Sequence, residues 1–135
     1  MAPADEVWRV VGRPEILCLW FPGIISSTVE GTTRTITTGA GIPMPEEIIT
    51  NDALQHRFQY RITSPIFRSH LATVDVIDIG DGTCMAVYST DAEPSAMALV
   101  ISGGTEGALQ ELKRQFESGE GPALDAVGIT RGKAH

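Results

Sequence analysis

One hundred and thirty-five residues, 42% hydrophobic and 20% charged, suffice for one domain with a proper core and leave no room for a second. No run of about 18 apolar residues occurs, and no basic-then-apolar leader opens the sequence, which argues against a transmembrane helix and a signal peptide. Ten Lys and Arg against seventeen Asp and Glu leave a net charge of −7, with the cations dispersed, so nucleic-acid backbones and membrane surfaces are both poor partners.

The chain opens on a predicted helix. Pro3 suits a first helical position, Asp5 and Glu6 suit the positive helix end, and Gly12 suits the stop. Ala4, Val7, Trp8 and Val11 form an apolar stripe at helical spacing. After Arg13-Pro14, the apolar stretch from Ile16 to Phe21 reads as a brief second helix, closed by Pro22-Gly23.

Strand texture begins at Ile24. Ile24 to Glu30 and Thr33 to Thr38 are rich in β-branched residues and flank a turn at Gly31. Gly39 to Pro45 reads as a loop, followed by strands from Glu46 to Asn51 and from Gln55 to Thr63. Beyond the break at Ser64-Pro65, strands from Ser69 to Ile79 and Thr83 to Thr90 are joined by Gly80-Asp81-Gly82, the clearest hairpin signal in the chain.

The last element is a long helix from about Pro94 to Ser118. Met97, Val100, Ile101, Ala108, Leu112 and Phe116 share one broad face of it, and Gly103, Gly104 and Gly107 interrupt it. Residues 119–135 have little apolar periodicity and are expected to form a flexible tail after a single domain over 1–118. An antiparallel sheet with one apolar face needs a cover, and the long helix is the only element large enough. The expected class is α+β, a curved antiparallel sheet wrapped around a long C-terminal helix, with a cavity wherever the helix stands off the sheet.

Cys18 and Cys84 lie far apart, without Cys or His at metal-ligand spacing, and His56, His70 and His135 are scattered. Neither a disulfide framework nor a metal site is expected, and nothing calls for a cofactor. Two reduced thiols suit a cytoplasmic protein.

The element order and the residues that fill it resemble the SRPBCC superfamily, the helix-grip fold of START-like proteins, polyketide cyclases and birch-pollen-allergen relatives. The matching pieces are Ala2 to Trp8, Trp20-Phe21-Pro22, Gly31 with Arg34, Glu46 with Asp52, the Arg57 to Arg61 strand, Gly80 to Thr83, and Gly107 to Lys113. They span residues 2 to about 118 and point to a fold rather than to a function. The family fold begins with a strand ahead of the Ala-Pro helix, whereas this sequence starts at that helix. The resemblance therefore implies an unpaired edge on the Thr83 to Thr90 strand, covered by an earlier start, a swapped segment or a homodimer partner. The loop Ala40-Gly41-Ile42-Pro43-Met44 is similar to the gate loop of plant abscisic acid receptors, which implies a hinged cover with Ile42 and Pro43 against a ligand.

Strand alternation assigns faces. Phe58, Tyr60 and Ile62, with His56, are expected inside, as are His70, Ala72, Val74 and Val76. Met85, Val87, Ser89 and Asp91 share a face taken as inward, and Glu46 shares one with Ile48 and Thr50. The resemblance supports the inward parity of Glu46 and His70. The expected ligand-binding set is Phe58, Tyr60, Ile62, Val74, Val87, Met97, Ile101, Gly104, Ala108, Ile42 and Pro43. His70, Glu46 and Asp91 are the candidate catalytic groups, working by proton transfer with Tyr60 as a hydrogen-bond donor. No nucleophile motif or phosphate loop is present. The first reading is binding of a small hydrophobic molecule: a lipid, a polyketide or an aromatic metabolite. The alternatives are a cyclase or dehydratase using the pocket's acid–base groups, and an oligomerising protein using the sheet edge.

Overall fold

The computed structural model describes residues 2–129, with the backbone alone for 97–100 and 102. Helix α1 (Ala4–Val11) and a 3-10 segment, Pro14–Leu19, precede six strands: β1 (Ile24–Glu30), β2 (Thr33–Thr38), β3 (Pro43–Asp52), β4 (Arg57–Ile62), β5 (Ser69–Gly80) and β6 (Thr83–Glu93). Helices α2 (Ser95–Ser118) and α3 (Pro122–Ala126) follow. The strands form one antiparallel sheet in sequence order, each paired with its chain neighbour. The sheet is curved around α2 and does not close into a barrel, as the helix-grip resemblance implies.

Local chemistry accounts for most of these elements. Gly31 and Gly82 hold positive φ at the tips of the β1–β2 and β5–β6 hairpins, and Asp81, also left-handed, completes the turn that pairs Gly80 with Thr83. The expected Gly39–Pro45 loop is shorter than it looked, because β3 starts at Pro43, opposite Thr37. The prolines fit there because β4 pairs with β3 only from Glu46 onward, so Pro43 and Pro45 sit where no β4 ladder needs their missing N–H groups. Ile42 N–H donates to Thr38 Oγ1, and Thr38 N–H to the Ile42 carbonyl. These bonds make the segment a tight hairpin turn.

The concave face of the sheet carries Arg34 and Ile36, Glu46, Phe58, Tyr60 and Ile62, and His70, Ala72, Val74 and Val76, all buried. Thr105, Ala108, Leu112, Gln115 and Phe116 of α2 are buried on the facing side, at spacings of three and four. Trp8, Val10 and Val11 of α1 and Leu17 and Trp20 around the 3-10 segment close one end of the core.

Two face assignments need correction. A bulge between Ile48 and Thr50 makes Ile48 face Tyr60 and Thr50 face Gln59, so Thr50 leaves the inward set and bonds Gln59 instead. His56 precedes β4 in a left-handed conformation, and its half-buried ring still stacks on the core residue Trp8 at 5.4 Å. On β6, Met85, Val87, Ser89 and Asp91 are exposed, while Cys84, Ala86, Tyr88 and Thr90 are half-buried inward. Both alternating sets of that strand contain apolar residues, so hydrophobicity does not separate its faces.

The chain beyond Gly119 also departs from the expectation of a flexible tail. After the left-handed Gly119, Gly121 passes so close to Gln115 that a Cβ would meet that side chain at 2.5 Å. Helix α3 follows, with Ala123 and Leu124 fully buried. Gln115 joins the parts: its Nε2 donates to the Leu19 carbonyl at 2.9 Å, and its Oε1 accepts from Ala123 N–H at 3.0 Å. Residues 130–135 lie outside the described part.

Candidate functional site

A cavity of about 280 Å³ opens between the concave face and α2. Its walls are mainly apolar: Leu17, Phe21, Ile36, Met44, Ile62 and Phe67, closed by Ile101 and Gly104 of α2. The polar side chains reaching it are Glu46, Tyr60 and Thr38. Gly104 widens the helix side, since a Cβ there would stand 3.4 Å from the Phe21 ring.

Hairpin counting explains the polar wall. Back from the β2–β3 turn, Thr37 pairs with Pro43, and three residues further Arg34 pairs with Glu46. Arg34 Nε donates to Glu46 Oε1 at 2.7 Å, inside the core. Nη1 of the same guanidinium donates to the Pro14 carbonyl at 3.3 Å, tying the 3-10 segment to the sheet. Its carbon lies 4.7 Å from the Tyr60 ring centroid and 5.3 Å from that of Phe58, so two aromatic faces help to solvate the cation. Burial raises the Glu46 carboxyl above its usual range, opposed by the neighbouring Arg34 charge and hydrogen bond.

The Tyr60 and Tyr88 hydroxyls are hydrogen-bonded to each other. Burial raises both phenols, so both stay neutral donors and acceptors at neutral pH. Behind Tyr60, a cavity of about 10 Å³, the scale of one water, is bounded by Trp20, Arg34, Phe58, Val74 and Tyr88 among others.

His70 is buried on β5 against Tyr60 and Phe67, with ring centroids at 5.8 and 5.1 Å. The Ile62 N–H donates to its Nδ1 at 2.9 Å, so the neutral ring carries its proton on Nε2. Burial lowers its pKa to about 4. Nε2 of His70, Nε1 of Trp20, Nη2 of Arg34 and Oγ1 of Thr90 have no hydrogen-bond partner among the described residues.

Of the residues expected at the site, Glu46, Tyr60, Ile62, Ile101 and Gly104 meet around the open cavity. Phe58 and Val74 line the small inner one. Ala108 is fully buried deeper along α2, and His70 stands behind Phe67 rather than in the described lining. Ile42 and Pro43 are exposed, and Met44, one residue on, takes the place expected of them. Val87 and Asp91 point outward from β6 and have no part in the cavity. The side chain of Met97 lies outside the described residues. Sequence reasoning missed Arg34 as a site residue, Tyr88 and Trp20. The β2–β3 hairpin count would have found the first. Among the described residues no group of three His, Cys, Asp or Glu is placed to hold a metal ion, and no helix is long and apolar enough to cross a membrane.

The chain matches, over residues 1–117, a family model described as polyketide cyclase / dehydrase and lipid transport. No curated protein matches it. Among solved structures, XoxI from Bacillus cereus superposes with a TM-score of 0.79 at 21% identity, over 85% of this chain and 88% of that one. A START superfamily protein from Mycobacterium smegmatis gives a TM-score of 0.72 at 12% identity, over 87% and 91%. Norcoclaurine synthase from Thalictrum flavum, in complex with dopamine and hydroxybenzaldehyde, gives 0.65 at 17% identity, over 87% and 81%. These likenesses establish a shared fold.

Proposed function

Because the chain belongs to the polyketide cyclase / dehydrase and lipid transport family, we propose that it holds a small hydrophobic molecule in the cavity between the sheet and α2. The observation that carries this reading is the apolar 280 Å³ cavity with Glu46 and Tyr60 as its polar wall. An apolar body fits against Ile36, Ile62, Phe67 and Ile101, with an oxygen of the ligand turned toward the polar wall. A lipid, a polyketide or an aromatic metabolite has that character. The norcoclaurine synthase structure, with aromatic molecules bound, is in keeping with it. Two unbridged cysteines, Cys18 and Cys84, accord with a cytoplasmic setting.

The test is a titration with 1-anilinonaphthalene-8-sulfonate, paired with native mass spectrometry of freshly purified protein. Saturable one-to-one dye binding, displaced by whatever small molecule the native spectrum reveals, is the expected result. A bare chain with no saturable dye binding would overturn the proposal.

A cyclase or dehydratase reading draws on one specific observation: the raised carboxyl of Glu46 reaches the cavity beside Tyr60. In that reading Glu46 moves the proton, Tyr60 hydrogen-bonds the substrate oxygen, and Arg34 positions Glu46. Glu46→Gln keeps an acceptor for Arg34 but cannot donate or take the proton. It should therefore retain ligand binding and lose turnover of the molecule found in the native spectrum. Unchanged turnover would remove the enzymatic reading and leave the binding one intact.

A further inference from the structure

Two of the buried groups without a partner among the described residues belong to side chains that line one space. Trp20 and Arg34 both bound the inner cavity behind Tyr60, together with Tyr88. His70 and Thr90, which carry the other two, do not. An indole N–H and a guanidinium N–H can only donate. Trp20 is 3% exposed and Arg34 1%, so neither finds its acceptor in bulk water. The other nitrogens of Arg34 are engaged, Nε with Glu46 and Nη1 with the Pro14 carbonyl.

Size and charge select the acceptor. A cavity of about 10 Å³ admits the centre of one water and little more. The Arg34 charge is already matched by Glu46 at 2.7 Å, so an anion in the cavity would be a further buried charge without a partner. A neutral molecule with two lone pairs and two hydrogens meets both donors and has hydrogens left for the tyrosine oxygens.

We propose that one water molecule occupies the inner cavity, accepts hydrogen bonds from Trp20 Nε1 and Arg34 Nη2, and thereby fixes Tyr60 as a donor toward the ligand cavity. With both lone pairs taken, this water can only donate to the phenols. The two phenols share one hydrogen bond, which uses one of their two O–H hydrogens. The second hydrogen cannot go to the water. Tyr60 lines both cavities and Tyr88 the inner one alone, so the second hydrogen finds an outlet when Tyr88 donates to Tyr60 and Tyr60 donates outward. The ligand group that matches is a carbonyl oxygen, an acceptor with no hydrogen of its own. Trp20, which does not line the ligand cavity, is then a positioning residue for Tyr60. The ligand preference rests on the proposed binding function, whereas the water does not.

The test has two parts. A high-resolution crystal structure of the unmodified chain should show one density peak within hydrogen-bond distance of both Trp20 Nε1 and Arg34 Nη2. An empty cavity overturns the proposal, and this part needs no variant. The second part uses two probes of one shape, 2-acetylnaphthalene and 2-isopropenylnaphthalene, in which a carbonyl oxygen replaces a methylene. Trp20→Phe frees a lone pair on the water, so the phenol chain can reverse and Tyr60 can donate inward. The affinity ratio of the two probes should then shift against the ketone by about threefold or more, the scale of one neutral hydrogen bond. A merely structural role for Trp20 would weaken both probes alike, and an unchanged ratio in the folded variant overturns the proposal. Failure of both probes to bind the unmodified chain refutes the binding function and the ligand preference with it, while the density still decides the water.

Discussion

Arg34 Nε stands 2.7 Å from a carboxylate oxygen of Glu46, and each side chain is only 2% exposed. Two charges taken out of water at that depth cost several kcal/mol apiece before their attraction is counted. The pair persists because β2 and β3 present the residues opposite each other, and because Tyr60, Phe58 and the Pro14 carbonyl solvate the cation. Arg34→Met would leave the carboxylate without a partner and should lower the unfolding free energy by about 3–5 kcal/mol in urea titrations. Arg34→Met with Glu46→Leu should regain most of that loss. A single variant as stable as the parent would show that the pair is not buried in solution.

The residues that were hard to read explain where sequence reasoning stopped. The Asp81-Gly82 turn and the alternation of Phe58, Tyr60 and Ile62 announce themselves, because one face of β4 carries these large hydrophobic and aromatic side chains and the other is Arg57, Gln59 and Arg61. β6 offers Met85 and Val87 on one side and Ala86 and Tyr88 on the other, so periodicity cannot choose between them. The bulge at Ile48–Thr50 flips a face with no marker such as glycine to announce it. The cavity depends on the stand-off between α2 and the sheet, which only the packed structure supplies. Glu46 and Tyr60 could be placed by parity, whereas the partnership of Tyr60 with Tyr88 depends on the β6 face that parity misassigned.

Acid should act on this protein through His70. Burial lowers its pKa from 6.5 to about 4, so between those values the unfolded chain binds a proton that the folded chain resists. The stability it contributes is fully present above pH 6.5 and is lost as pH falls toward 4. Glu46 has the opposite sign, since its raised pKa contributes stability below the usual carboxyl value that is lost as pH rises through the folded one. Comparison with His70→Asn cancels the Glu46 part, because an Asn oxygen can still accept from Ile62 N–H. Between about pH 7 and pH 4.5, the parent should lose about 2 kcal/mol more than the variant in urea titrations. Equal losses would mean that His70 titrates as an exposed histidine.

Gly104 offers a way to fill the cavity without disturbing the sheet. Gly104→Leu removes a helix-interior glycine, worth about 1 kcal/mol, and projects a branched side chain past the Phe21 ring into the ligand space. Thermal stability should hold or rise while affinity for the anilinonaphthalene dye falls at least tenfold, on the order of 1.4 kcal/mol. Dye binding unaffected by the substitution would place the dye outside this cavity.

Leu124 tests whether the chain past Gly119 belongs to the domain. It is fully buried on a helix of five residues, too short to persist without its packing. What holds it is the Gln115 bridge to Ala123 and the contact of α3 with the 3-10 segment; the Val127 carbonyl also accepts from Arg9 of α1. Leu124→Ala removes buried apolar volume from a site whose neighbours are themselves fixed, and should cost about 2–5 kcal/mol. Truncation after Gly119 should cost at least as much, since it also unpairs the Gln115 side chain. Near-parental urea midpoints for both would return residues 119–129 to the status of an appended tail.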